Sequence, residues 1–132
     1  MKVFDRNIMA TGIFITAATI AIGAFGAHGL KQLIEGPALD TFEVGVRYQI
    51  YHAVAILILG MAPWISQKLK KSIFVLFLIG ILFFSGSIYL LSLNSVLPFD
   101  ATTIGFVTPI GGLLFIIAWI LWGFGMLKPK KQ

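Results

Sequence analysis

The 132-residue sequence contains no cysteine, which excludes disulfides, thiolate metal sites and cysteine nucleophiles. It is also poor in charge. Only 11% of residues are Asp, Glu, Lys or Arg, against 58% apolar and 14% aromatic. Soluble domains carry about 25% charged residues, and a chain this short has too little interior to hide so much apolar surface from water. The net charge of +5 does not point to nucleic acid. Its charges sit in short clusters between long uncharged runs, so no continuous basic face forms. Strictly alternating apolar and polar windows are missing as well, which excludes the strands of a membrane barrel.

What remains is four long apolar stretches, at about residues 7–27, 48–65, 72–93 and 103–127. Roughly 20 helical residues cross a hydrocarbon core of about 30 Å. In lipid each backbone donor and acceptor must be satisfied internally, which selects the helix. The expected fold is an all-α membrane protein, an antiparallel four-transmembrane-helix bundle in a single polytopic domain. Pro109 falls inside the fourth stretch and is expected to kink it, whereas Pro63 lies near the end of the second. A rival reading takes the first stretch as a cleaved signal peptide, with Lys2 and Arg6 as its basic end, but the apolar run is long for that role.

Charge placement gives an orientation. Lys2 and Arg6, then Lys68, Lys70 and Lys71, then Lys128, Lys130 and Lys131 share one side of a four-span chain, and they are eight of the ten basic residues. Basic residues of short loops stay in the cytoplasm, so both termini are expected inside, in the cytoplasmic membrane. Trp64, Trp119, Trp122, Tyr48 and Tyr51 read as interfacial anchors.

The most informative segment is the outer one, from about residue 28 to 47. Pro37 suits the start of a helix, and Asp40 and Glu43 follow where its dipole favours acids. This helix is expected to run on into the second span. On it, Glu43 and Arg47 are four apart with the acid first, the favourable order. Tyr48 and His52 are also four apart, as are Arg47 and Tyr51, with Gln49 on a different face. His28, at the end of span one, is expected at a depth similar to His52. One expectation is a cluster of His28, Glu43, Arg47, Tyr48, Gln49, Tyr51 and His52 that ties helices one and two and holds a lipid or a protein partner. A haem or metal site and a proton path are weaker readings, since two histidines without a third ligand are a poor metal signal.

Elsewhere the polar residues are small. Gly23, Gly26 and Gly29 recur every three residues, Gly12, Thr16 and Thr19 offer further small surfaces, and Ser85, Gly86, Ser87 and Ser92 form one patch. Thr108, Gly111 and Gly112 form another beside Pro109. Small residues collect where membrane helices meet, so these positions are expected at packing contacts. No continuous polar stripe suggests a pore, and no nucleophile–base set or carboxylate pair suggests catalysis.

Gly23-Ala24-Phe25-Gly26-Ala27-His28-Gly29-Leu30, then Phe42-Glu43 and Arg47-Tyr48-Gln49-Ile50-Tyr51-His52-Ala53, resemble the small bacterial inner-membrane family that includes YgdD and YwdK. Ser85-Gly86-Ser87-Ile88-Tyr89-Leu90-Leu91 and Thr108-Pro109-Ile110-Gly111-Gly112 resemble its later segments, so the likeness covers nearly the whole chain. It implies a four-helix protein of the cytoplasmic membrane and no particular activity. The functional expectation is a non-enzymatic membrane protein without a cofactor or nucleic-acid partner, in contact with the bilayer and with a bound lipid, a homo-oligomer or another membrane protein. The alternative is a small transporter or channel component acting as an oligomer.

Overall fold

Four long apolar helices account for most of the chain in a computed structural model that describes residues 4–128. Lys2, Lys130 and Lys131, used above for orientation, lie outside the described residues. The helices are α1 (Arg6–His28), α2 (Gly36–Met61), α3 (Gln67–Ser92) and α4 (Val107–Leu127). Each is bounded by local chemistry. Asp5 caps α1, its carboxylate accepting from the amides of Asn7 at 3.1 Å and Ile8 at 3.2 Å, a contact of the kind worth about 1 kcal/mol. Pro37 occupies the first turn of α2, where its missing N–H costs nothing. Pro63 ends that helix by forcing Ala62 into an extended conformation. Ser66 caps α3 through the Leu69 amide at 3.2 Å.

The spans are antiparallel, and α2 is continuous through what the sequence divides into an interfacial segment and a span. At one end the Asp5 amide donates to the Gly60 carbonyl at 2.8 Å, fastening the start of α1 to the end of α2. Packing runs α1 on α2, α2 on α3 and α3 on α4. Outward faces carry Phe14, Ile20, Leu82, Leu113, Ile116 and Phe124, all exposed, as expected where hydrocarbon is the solvent.

Pro109 does not kink the fourth span. The chain forms a short 3-10 turn at Ala101–Ile104, breaks at Gly105 and Phe106, and only then starts α4. Pro109 is therefore the third residue of that helix, where no helical N–H bond is lost, and it is exposed instead of packed. The irregularity within the spans lies in α3, where Ile81–Ser85 form a π-turn. One extra residue per turn there rotates the C-terminal half of α3 relative to its N-terminal half.

The 3-10 turn is held by Asp100, whose side chain accepts from the Thr102 amide at 3.0 Å and the Thr102 hydroxyl at 2.6 Å. These hydrogen bonds hold its carboxyl below the usual carboxylate range. A depressed folded value means the cap is fully present above the unfolded carboxylate pKa and is lost as pH falls through the folded one. Amide exchange at Thr102 should accordingly be slow at about pH 5 and accelerate below about pH 4 beyond the chain's intrinsic trend. Asp100→Ala should remove that pH dependence, and an unchanged profile in the variant would contradict the assignment.

Candidate functional site

The register of α1 against α2 decides where the sequence-predicted polar residues stand. A Cβ at Gly26 would fall 2.7 Å from the Phe42 ring, and one at Gly12 would fall 2.6 Å from the Leu57 amide nitrogen and 2.8 Å from the Ala53 carbonyl oxygen. His28 is therefore level with about residue 40, roughly twelve residues or ~18 Å along the axis from His52. The two histidines do not share a depth. His28, Glu43, Arg47, Tyr48 and Tyr51 are exposed, whereas Gln49 and His52 are buried. The seven residues thus divide into an outward-facing set and an inward-facing pair one helical turn apart. Gln49 shares a face with His52, contrary to its assignment from the sequence.

The inward pair does not bind α2 to α1. Gln49 Oε1 accepts from the Tyr89 hydroxyl at 2.7 Å, linking α2 to α3. His52 Nε2 accepts from the Trp119 indole N–H at 3.0 Å, linking α2 to α4. His52 Nδ1 lies 2.7 Å from the Tyr48 carbonyl oxygen. A carbonyl only accepts and an indole N–H only donates, so the ring is neutral with its hydrogen on Nδ1. Protonation of Nε2 would set one N–H against another.

Aromatic rings enclose this histidine. Its ring stacks on Phe115 with centroids 3.6 Å apart and planes 10° apart, and meets Phe77 edge-on at 5.4 Å. Trp119 in turn stacks on Trp122 at 5.4 Å. His52 is only 5% exposed. Both ring nitrogens are engaged, so no lone pair is offered to a metal. Among the described residues no group of three His, Asp or Glu side chains converges.

The packing residues divide similarly. Gly23 and Gly26 meet Val46 and Phe42 of α2, and Gly111 meets the backbone of Phe83 and Phe84 at the π-turn. Ser85 donates to the Gly45 carbonyl at 2.8 Å, and Ser87 lies 2.5 Å from the Thr108 hydroxyl. Gly29 meets only Phe25 of its own helix, Gly86 has only Leu82 at 3.9 Å, and Gly112 makes ordinary contact with the Phe84 ring at 3.6 Å. Four contacts that the sequence reading missed are Gly45 against Tyr89, Gly60 against Met9, Gly80 against Phe115 and Gly125 against Leu69. Isolated glycines carry no spacing signal that could have revealed them. Its position in the sequence makes Trp119 an expected interfacial anchor, and nothing in the sequence ties it to His52.

The family model described as "Protein of unknown function (DUF423)" matches residues 22–112, a stretch containing the Gly23–Val46 and Gly26–Phe42 contacts and the Gln49–Tyr89 link. The chain belongs to this family. A UPF0382 membrane protein of Haemophilus influenzae is 39% identical over 112 residues, covering 85% of this chain and 86% of its own length. The UPF0382 membrane protein YwdK of Bacillus subtilis is 35% identical over 126 residues, covering 92% and 93%. The UPF0382 inner membrane protein YgdD of Escherichia coli is 32% identical, covering 86% and 83%. No solved structure matches the chain. This DUF423 chain is a multi-pass membrane protein, as its four apolar helices and the names of its relatives agree.

Proposed function

We propose that this chain is a non-enzymatic protein of the cytoplasmic membrane that acts by association within the bilayer, through the exposed face of α2. Both termini lie in the cytoplasm in this reading, which the placement of the basic residues supports. The observation that carries it is an exposed stripe on α2 that includes three charged residues. Asp40, Glu43, Arg47, Tyr51, Val54, Ile58 and Met61 recur every three or four residues and are all exposed. His52 is level with Phe115 and Trp119 near the middle of α4. Arg47 is five residues from it along α2, about 7 Å, and Glu43 about 13 Å. Both fall inside the half-thickness of about 15 Å. Ionisable groups at such depth pair with one another or face a protein interior.

A second copy of the chain fits the stripe. In a two-fold pairing of α2 with α2, Glu43 of each copy lies about one turn from Arg47 of the other, and Tyr51, Val54 and Ile58 meet their own counterparts. Such a surface is self-complementary, as a two-fold interface requires.

The absence of native cysteine makes the test clean. Tyr51→Cys and Val54→Cys should give disulfide-linked dimers in oxidised membranes, while Ile13→Cys and Phe124→Cys, exposed on other helices, should not. Arg47→Glu should reduce the Tyr51→Cys dimer severalfold, and adding Glu43→Arg should restore it. Equal cross-linking at all four positions, or no rescue by the charge swap, would rule the interface out.

A further inference from the structure

A groove of about 1090 Å³ opens between the start of α1 and the start of α3, at the end of the bundle where α4 finishes. Its volume is just above the range of ligand pockets, which run about 300–1,000 Å³. The lining is graded. Exposed Arg6 and Lys71 belong to the first turns of α1 and α3, and Phe74 and Val75 follow about one turn later along α3. We infer that this groove is a binding site for one anionic phospholipid, its phosphate between Arg6 and Lys71 and an acyl chain along Phe74 and Val75.

Three observations support that occupant over others. The first is charge. The acid in the lining, Asp5, is already engaged by the α1 amides it caps. Arg6 and Lys71 then leave the mouth with an excess of positive charge. The second is polarity along the helices. Cations at the span end and apolar side chains one turn deeper match a lipid's headgroup and tail, where a soluble anion would leave the apolar part uncovered. The third is the fold. Both α1 and α3 begin here, so the positive ends of two helix dipoles add to the same field. Basic pockets between spans are a recurring means of holding acidic headgroups.

The test is native mass spectrometry of the full chain in mild detergent, titrated with dioleoyl-phosphatidylglycerol or dioleoyl-phosphatidylcholine. One phosphatidylglycerol should be retained about tenfold more strongly than phosphatidylcholine, on the usual strength of two cations near an acidic headgroup. Arg6→Gln with Lys71→Gln should abolish that preference, whereas Arg6→Lys with Lys71→Arg should keep it and Lys31→Gln, at the opposite end, should not alter it. Circular dichroism of each variant checks that it is folded. Millimolar inorganic phosphate should not displace the lipid. Equal retention of the two lipids overturns the inference, as does a preference that survives the double Gln variant. Displacement by phosphate overturns it in favour of a free anion. A dimer lost specifically in the double Gln variant would place a second copy in the groove and overturn it too.

Discussion

His52→Ala is expected to destabilise the folded chain by about 2–4 kcal/mol, the range for truncating a large buried side chain. Two effects contribute, and their sizes can be separated. Truncation leaves a void against Phe115 and Phe77, both buried, and removes the 3.6 Å ring stack. It also leaves the Trp119 indole N–H without its acceptor. Hydrogen bonds between membrane helices average only about 0.6 kcal/mol, so packing should dominate. His52→Phe tests this, because it keeps a ring on Phe115 and removes the acceptor. Its expected cost is about 1 kcal/mol or less. Reversible unfolding in mixed micelles, followed by tryptophan fluorescence, reads both variants, since Trp119 is next to the change and Trp64 and Trp122 are the other indoles. If His52→Phe were as damaging as His52→Ala, the hydrogen bond would be the main tie between α2 and α4, and the packing argument would fail.

That centre could not have been found from spacing. His52 and Trp119 are 67 residues apart and meet only because α2 and α4 come together in the folded bundle. Gln49 and Tyr89 are 40 residues apart. Spacing along α2 does reveal which residues share a helix face, and the exposed series through Glu43, Arg47 and Tyr51 follows it. It does not reveal which face is covered. Four-residue spacing groups Tyr48 with His52 and sets Gln49 apart from them, while the folded helix sends Gln49 and His52 inward together and leaves Tyr48 exposed.

The four spans were legible for a different reason. In hydrocarbon a helix satisfies its own backbone, so length and apolarity of each stretch suffice without knowledge of its neighbours. The limits of that logic appear at the helix ends and at the π-turn. Pro109 could have kinked a helix beginning near residue 103 or opened one beginning at Val107. The Asp100-capped turn at Ala101–Ile104 favours the second. The π-turn at Ile81–Ser85 brings Ser85 to the Gly45 carbonyl and opposes its backbone to Gly111. Both partners belong to other helices, so the apolar run Ile81-Leu82-Phe83-Phe84 carries no local sign of it.

Gly111 and Gly112 are adjacent in sequence and should respond oppositely to the same change. A Cβ at Gly111 would fall within 3 Å of Phe83 and Phe84 backbone atoms at the π-turn. Backbone cannot rotate away as a side chain can, so α3 and α4 must separate. Overpacking of this kind costs about 1–3 kcal/mol, against a gain of up to about 1 kcal/mol from replacing glycine by alanine in a helix. Gly111→Ala should therefore lower stability by up to about 2 kcal/mol, the difference of those two terms. At Gly112 the nearest neighbour is the Phe84 ring at 3.6 Å, an ordinary contact. Propensity alone then acts, and Gly112→Ala should stabilise by up to about 1 kcal/mol. Gly12→Ala, which meets the α2 backbone at 2.6 Å, should resemble Gly111→Ala. Thermal melts in detergent give the three signs directly. The same sign for Gly111→Ala and Gly112→Ala would mean that the close approach of α4 to the π-turn does not exist, and that α3 and α4 meet through side chains alone.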